Sequence, residues 1–233
     1  MKVKKKVTII LIIVLLVGMG FAGIFAYAYI EESKIGILDE EKVKEYKWKE
    51  VEVHNLRNNG VGYAISTYMP SDGRPGNLKI MTYSYPSPKG LLGDTTRTLA
   101  LDTAVWNAKS YDMTFTNIEK EVANIRGEKA DIIYIDFITN TSVPSVKIAG
   151  MKIDLGMNIR SHGKFIIALF SPSDASVIRD CFIITVSYCL IEHEIYLRDF
   201  RLTETPADHS TYDEMKELIF DHISLTGTIE IGQ

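Results

Sequence analysis

The sequence predicts an N-terminal transmembrane helix followed by one α+β domain, a mainly antiparallel sheet covered by helices on both faces. Three observations carry that expectation. Residues 7–30 hold no charged side chain and follow a lysine cluster. Segments rich in β-branched and aromatic residues, cut by turn residues, fill most of the chain after residue 50. Two segments with helical spacing, near 95–110 and 211–224, interrupt that pattern. The length of 233 residues, with 46% hydrophobic and 24% charged, suits one domain and excludes a disordered chain. Two cysteines exclude a disulfide scaffold, and a net charge of −4 argues against a nucleic-acid partner.

The first segment is a basic tip, residues 1–6, with Lys2, Lys4, Lys5 and Lys6; no acidic residue precedes Glu31. The apolar run begins at Val7 and ends at Ile30. A bilayer core needs about 20 helical residues, so this run is long enough to span. Tyr27 and Tyr29 stand at its outer end, and the lysines predict a cytoplasmic N-terminus. A cleaved signal peptide is the alternative, with Ala26-Tyr27-Ala28 as cleavage site, but its apolar core usually runs about 7–15 residues. The expectation is a single-pass signal anchor in the cell membrane, with the C-terminal domain outside. Gly18, Ala22 and Ala26 recur every fourth position, a face on which two membrane helices could meet.

Residues 31–50 read as a linker or stalk. Asp39 can cap a short helix over 40–48, with Glu40 and Glu41 in its first turn. The outer domain spans 51–233. Strands are expected at 61–69, closed by Pro70-Ser71-Asp72-Gly73, and at 78–85, stopped by Pro86 and Pro88. A helix over 95–110 would bury Leu99, Leu101, Ala104, Val105 and Ala108, with Trp106 beside that stripe. Strands resume near Met113, turn at Arg126-Gly127-Glu128, and continue over 130–138 with Ile133, Ile135 and Phe137 on one face. Residues 146–159 form another extended candidate. The near-continuous apolar runs 164–170 and 181–191 predict central strands covered on both faces. A final helix, capped by Ser210, would bury Met215, Leu218, Ile219 and Ile223 and end at Gly227.

Chemical motifs are sparse, and no catalytic, metal or cofactor residue is assigned. Gly156 and Gly163-Lys164 have six residues between the glycines where a phosphate loop needs four, and Phe165 replaces its Ser/Thr; a turn between strands is expected. Ser161 and His162 are neighbours, which in a strand face opposite ways. In Glu192-His193-Glu194 the imidazole points away from both carboxylates in a regular strand. Cys181 and Cys189 lie about 26 Å apart in one extended strand, beyond disulfide reach. Asn140-Thr141-Ser142 is a possible glycosylation sequon, read as part of a polar turn.

Three passages resemble the PsbP/Mog1-like family, especially its small membrane-anchored prokaryotic members. Gly62-Tyr63-Ala64-Ile65 followed by Tyr68-Met69-Pro70-Ser71-Asp72-Gly73 is similar to that family's opening segment, although Met69 splits the Tyr-Pro pair and Gly73 replaces a Trp. Arg126-Gly127-Glu128-Lys129-Ala130 resembles its central turn, and the helix over 212–225 its terminal helix. The resemblance implies an antiparallel sheet with helices on both sides and an adaptor or assembly role. The functional expectation is a membrane-tethered extracytoplasmic binding or accessory domain acting by protein–protein contact. Its partners would be the bilayer, through the N-terminal helix, and an envelope protein. A ligand sensor with Tyr63, Tyr68, Tyr83 and Tyr85 as an aromatic patch is one alternative. An envelope hydrolase drawing on Ser161, His162, His193 and Asp199 is the other.

Overall fold

The computed structural model describes residues 34–58, 61–86, 93–109, 113–143, 146–148, 151–153, 156–171 and 179–228. In chain order the elements are β1 (Lys34–Leu38), α1 (Glu40–Glu45), β2 (Trp48–Asn58), β3 (Val61–Pro70), β4 (Gly76–Pro86) and α2 (Gly93–Lys109). Then follow β5 (Met113–Ile125), β6 (Glu128–Ser142), β7 (Val146–Ile148), β8 (Met151–Ile153), β9 (Met157–Phe170) and β10 (Arg179–Leu197). The last are β11 (Phe200–Thr205), α3 (Ser210–Asp221) and β12 (Ile223–Thr228).

Eight strands form one antiparallel sheet in the order β2-β3-β4-β10-β9-β6-β5, with β11 pairing the far end of β10. The two apolar runs take its centre: β9 and β10 pair over most of their lengths, and Ile166, Ile167, Ala168, Leu169 and Phe170 are fully buried. Alternation sorts β6 between the two faces. Ala130 and Ile132 join one core, with Ile166, Ala168, Phe170 and Ile183. Ile133, Ile135 and Phe137 join the other, with Phe165, Ile167, Leu169 and Ile184. Gly163 sits inside β9, opposite Phe137, rather than in a turn. A Cβ there would strike the Phe137 ring and come within 2.6 Å of the Cys189 carbonyl oxygen. The aromatic ring thus replaces the missing side chain.

The cover of the first face is built from α3, α1 and a ribbon of β1 with β12. Met215, Leu218 and Ile219 of α3, Val43 of α1, and Leu38, Ile223 and Leu225 of the ribbon all bury into that core. Each large side chain so buried stabilises the fold by about 1.5–3 kcal/mol over exposure. Asp39 caps α1 through its side chain, accepting from the Glu41 and Lys42 amides. At α3 the N-cap is His209, not the expected Ser210, and its side chain makes no capping bond; Asp208 Oδ1 accepts the Ser210 amide at 2.9 Å. Arg74 ties this layer to the β3–β4 turn: its guanidinium donates to Asp72 Oδ2 at 2.9 Å, Glu214 Oε1 at 2.8 Å and the Tyr46 carbonyl at 2.9 Å. Trp48 Nε1 donates to the same Glu214 at 3.0 Å.

The β5–β6 hairpin turns on Arg126 and Gly127, both at positive φ (54° and 87°), as a two-residue hairpin with right-handed strand twist requires. Arg126 also donates to the carbonyls of Asp221 at 3.2 Å and Ile223 at 2.9 Å, satisfying groups at the C-terminal end of α3.

Several expectations are corrected. The α+β domain with helices covering both faces gives way to a β-rich sandwich: 66% of the described residues are strand and 20% helix, in three helices. The first face is covered largely by a strand ribbon. On the second, α2 buries only Ala104 among its described side chains, and Leu99 and Trp106 are exposed. The stretch expected as a stalk at 31–50 contributes β1, α1 and the buried Trp48. The end of the expected last helix, Ile223 and Ser224, instead opens strand β12, which pairs with β1 and buries Ile223 and Leu225.

The single-pass membrane placement is also corrected. Among the described residues no helix is long and apolar enough to cross a membrane, and the apolar runs 164–170 and 181–191 serve as central strands. The segment from Val7 to Ile30, its flanking Lys4, Lys5 and Lys6, and the Gly18, Ala22 and Ala26 face lie outside the described residues.

Candidate functional site

A polar cleft of about 220 Å³ opens between α3 and the β5–β6–β9 part of the sheet. Its charged and aromatic walls come from Glu119, Tyr134, Asp136, Lys164, Tyr212 and Lys216. The local cause is strand alternation: Tyr134 and Asp136 occupy the face of β6 opposite Ile133, Ile135 and Phe137. Lys164 stands beside Asp136 in the β6–β9 register, and its Nζ donates to Asp136 Oδ1 at 2.7 Å. The same ammonium lies 5.4 Å from the Tyr212 ring centroid. Lys216, one turn further along α3, lies 5.9 Å from the Tyr134 centroid. Asn117 Nδ2 donates to Glu119 Oε1 at 3.0 Å.

Burial pushes the Tyr134 phenol up to about 12, aided by the Glu121 carboxylate. Burial likewise pushes Tyr212 up to about 12, with Tyr134 and Asp136 adding to it. Both phenols therefore stay protonated near neutral pH and remain hydrogen-bond donors. The cleft offers ammonium groups, carboxylates and phenols together, a set suited to holding a polar ligand.

On the same face, at the far end of β10, Glu194 gathers a second charged group. Arg201 donates to its Oε1 at 3.1 Å and the Tyr196 hydroxyl to its Oε2 at 3.1 Å. Arg160 and His162 stand 3.9 and 3.7 Å away. Burial raises the Glu194 carboxyl, but the bonds from Arg201 and Tyr196 and the Arg160 charge outweigh it and hold it below the usual range.

Of the hydrolase candidates, the structure brings two together. Ser161 Oγ and His193 Nδ1 are 2.8 Å apart across β9 and β10. His162 turns to the opposite face beside Glu194, and Asp199 sits in the exposed β10–β11 turn. Glu194 likewise faces away from His193, as alternation requires. Among the described residues no group of three or more His, Cys, Asp or Glu side chains could hold a metal ion. Cys181 and Cys189 are both buried, and burial pushes the Cys189 thiol up to about 12. Asn140 is exposed within strand β6, paired with Arg160, rather than in a turn.

The aromatic patch divides. Tyr63 and Tyr83 meet at a tilt of 45°, centroids 4.9 Å apart, and Phe182 stacks on Tyr83 at 5.0 Å. Tyr68 is buried in the core of the other face, and the Tyr85 side chain lies outside the described residues. Sequence reasoning missed the cleft residues altogether. The available signal was the charge of Asp136 and Lys164 at positions where both neighbours along each strand are apolar or glycine. No protein-family model matches this chain. No curated protein matches it either.

Proposed function

We propose that the protein is a binding domain that acts through protein–protein contact, taking an extended segment of its partner along the free edge of β5. One observation carries the reading. Among the described residues β5 pairs only with β6, and every residue from Thr116 to Val122 is exposed, Ile118 and Val122 included. An edge strand presents alternate unpaired amides and carbonyls, which a partner strand can take up while side-chain pairs set the choice of sequence. Ile118, Lys120 and Val122 share one face of β5, by their pairing with Ile135, Ile133 and Asp131. The matching segment would present an acidic residue between two apolar ones. The bulge at Phe115/Asn117 and the charges of Glu119, Lys120 and Glu121 discourage indiscriminate pairing. The adaptor role implied by the PsbP-like resemblance points the same way.

The test is photo-crosslinking of the full chain in the cells that make it, with the probe at Lys120, followed by identification of what is joined. A recurrent neighbour lost in the Ile118→Asp/Val122→Asp variant supports the reading, provided that variant melts like the parent. Crosslinks that persist in the variant, or none at all, overturn it.

A further inference from the structure

The cleft beneath α3 carries a separate inference, independent of the β5 edge. Its charges pair incompletely. Lys164 and Asp136 neutralise one another at 2.7 Å. Lys216 touches the Tyr134 ring, and among the described residues no carboxylate lies within ion-pair distance of it. Glu119 accepts a hydrogen bond from the Asn117 amide, and no cation among the described residues pairs with it. One ammonium and one carboxylate are thus left over, on different elements lining the same cleft, and not bridged to each other. Opposite charges within a cleft that do not meet are complementary to a molecule carrying both signs. Such a molecule would offset the charge on each wall, whereas a simple anion or cation would meet one attraction and one repulsion.

The cleft also sets the size. At about 220 Å³ the half-open cleft has room for a ligand the size of a free amino acid. The phenol of Tyr212 adds a donor for a carboxylate, whereas that of Tyr134 is already bonded to Glu121. We infer that the cleft binds a small zwitterion of the α-amino-acid class, its carboxylate on Lys216 and its ammonium on Glu119.

The experiment is thermal melting and calorimetric titration of the full chain against the twenty free amino acids, with propionate and propylamine as single-charge controls. The expected result is a rise in melting temperature with one or a few amino acids and none with either control at equal concentration. Lys216→Met and Glu119→Gln, both exposed positions, should each weaken binding tenfold or more while melting like the parent without ligand. Three results would overturn the inference: no amino acid bound at millimolar concentration, binding unchanged in both variants, or propionate binding as well as the amino acid.

Discussion

The two longer helices lie against opposite faces of one sheet and are held in different ways. In α3, Met215, Leu218 and Ile219 have no exposure at all, and Arg74 and Trp48 both bind its Glu214. In α2, Ala104 alone is buried among the described side chains, while Leu99 is 66% and Trp106 71% exposed. Besides Ala100, Leu101 and Val105, half-buried against the second core, α2 is held by Arg97, whose guanidinium donates to Asp131 Oδ2 at 3.0 Å and Ser171 Oγ at 2.6 Å. Each helix has one arginine-to-carboxylate tie, so that tie is not the difference. The difference is apolar burial, and it makes α3 part of the core and α2 an attachment to it.

The largest expected effect separates the two directly. Leu218→Ala should cost about 2–5 kcal/mol by opening a cavity in a filled core, and Leu99→Ala should stay within about 0.5 kcal/mol. Urea unfolding of both variants measures it; equal losses would break the comparison. A smaller effect is acid sensitivity on the α3 side. Glu217 is held below the usual carboxylate range, first by the hydrogen bond from Tyr46. Its stabilisation is complete above the unfolded value of about 4.3 and drains away as pH falls through the lower folded value. Amide exchange along α3, corrected for intrinsic rates, should therefore speed up between pH 5 and pH 3; the same acceleration in Glu217→Gln would assign the effect elsewhere. The smallest change is spectroscopic. The chain has two tryptophans, Trp48 at 3% exposure and Trp106 at 71%. Trp106→Phe should leave stability within about 0.5 kcal/mol and remove nearly all acrylamide quenching. Persistent quenching would mean that Trp48 is not sealed beneath α3.

The contrast between the helices also marks how far the sequence could be read. Both were legible from spacing, yet Ser210 begins α3 instead of capping it, and Leu99 of the expected stripe turns outward while Ala104 is buried and Leu101 and Val105 pack beside it. An apolar stripe states what a helix can bury, not what the sheet beneath has room to receive. Strand reading went further, because Ile133, Ile135 and Phe137 alternate and the runs 164–170 and 181–191 admit only a central place. The ribbon escaped: Lys34–Leu38 is short, and its need for cover becomes visible only beside Ile223 and Leu225. The cleft escaped for a similar reason. Asp136, Lys164 and Lys216 are far apart in the chain, and only the β6–β9 register and the seat of α3 bring them together.

The ribbon has a consequence for the order in which the molecule can be made. Residue 34 pairs with residue 228, so β1 must wait for a partner strand made long after it. Synthesis at about 5–20 residues per second separates their appearance by on the order of ten seconds or more. Throughout that interval Leu38 lacks its pairing partner Ile223, and the core beneath the ribbon is not fully closed. The nascent chain must be shielded, or must tolerate an unfinished face, until residues 223–228 arrive to close it.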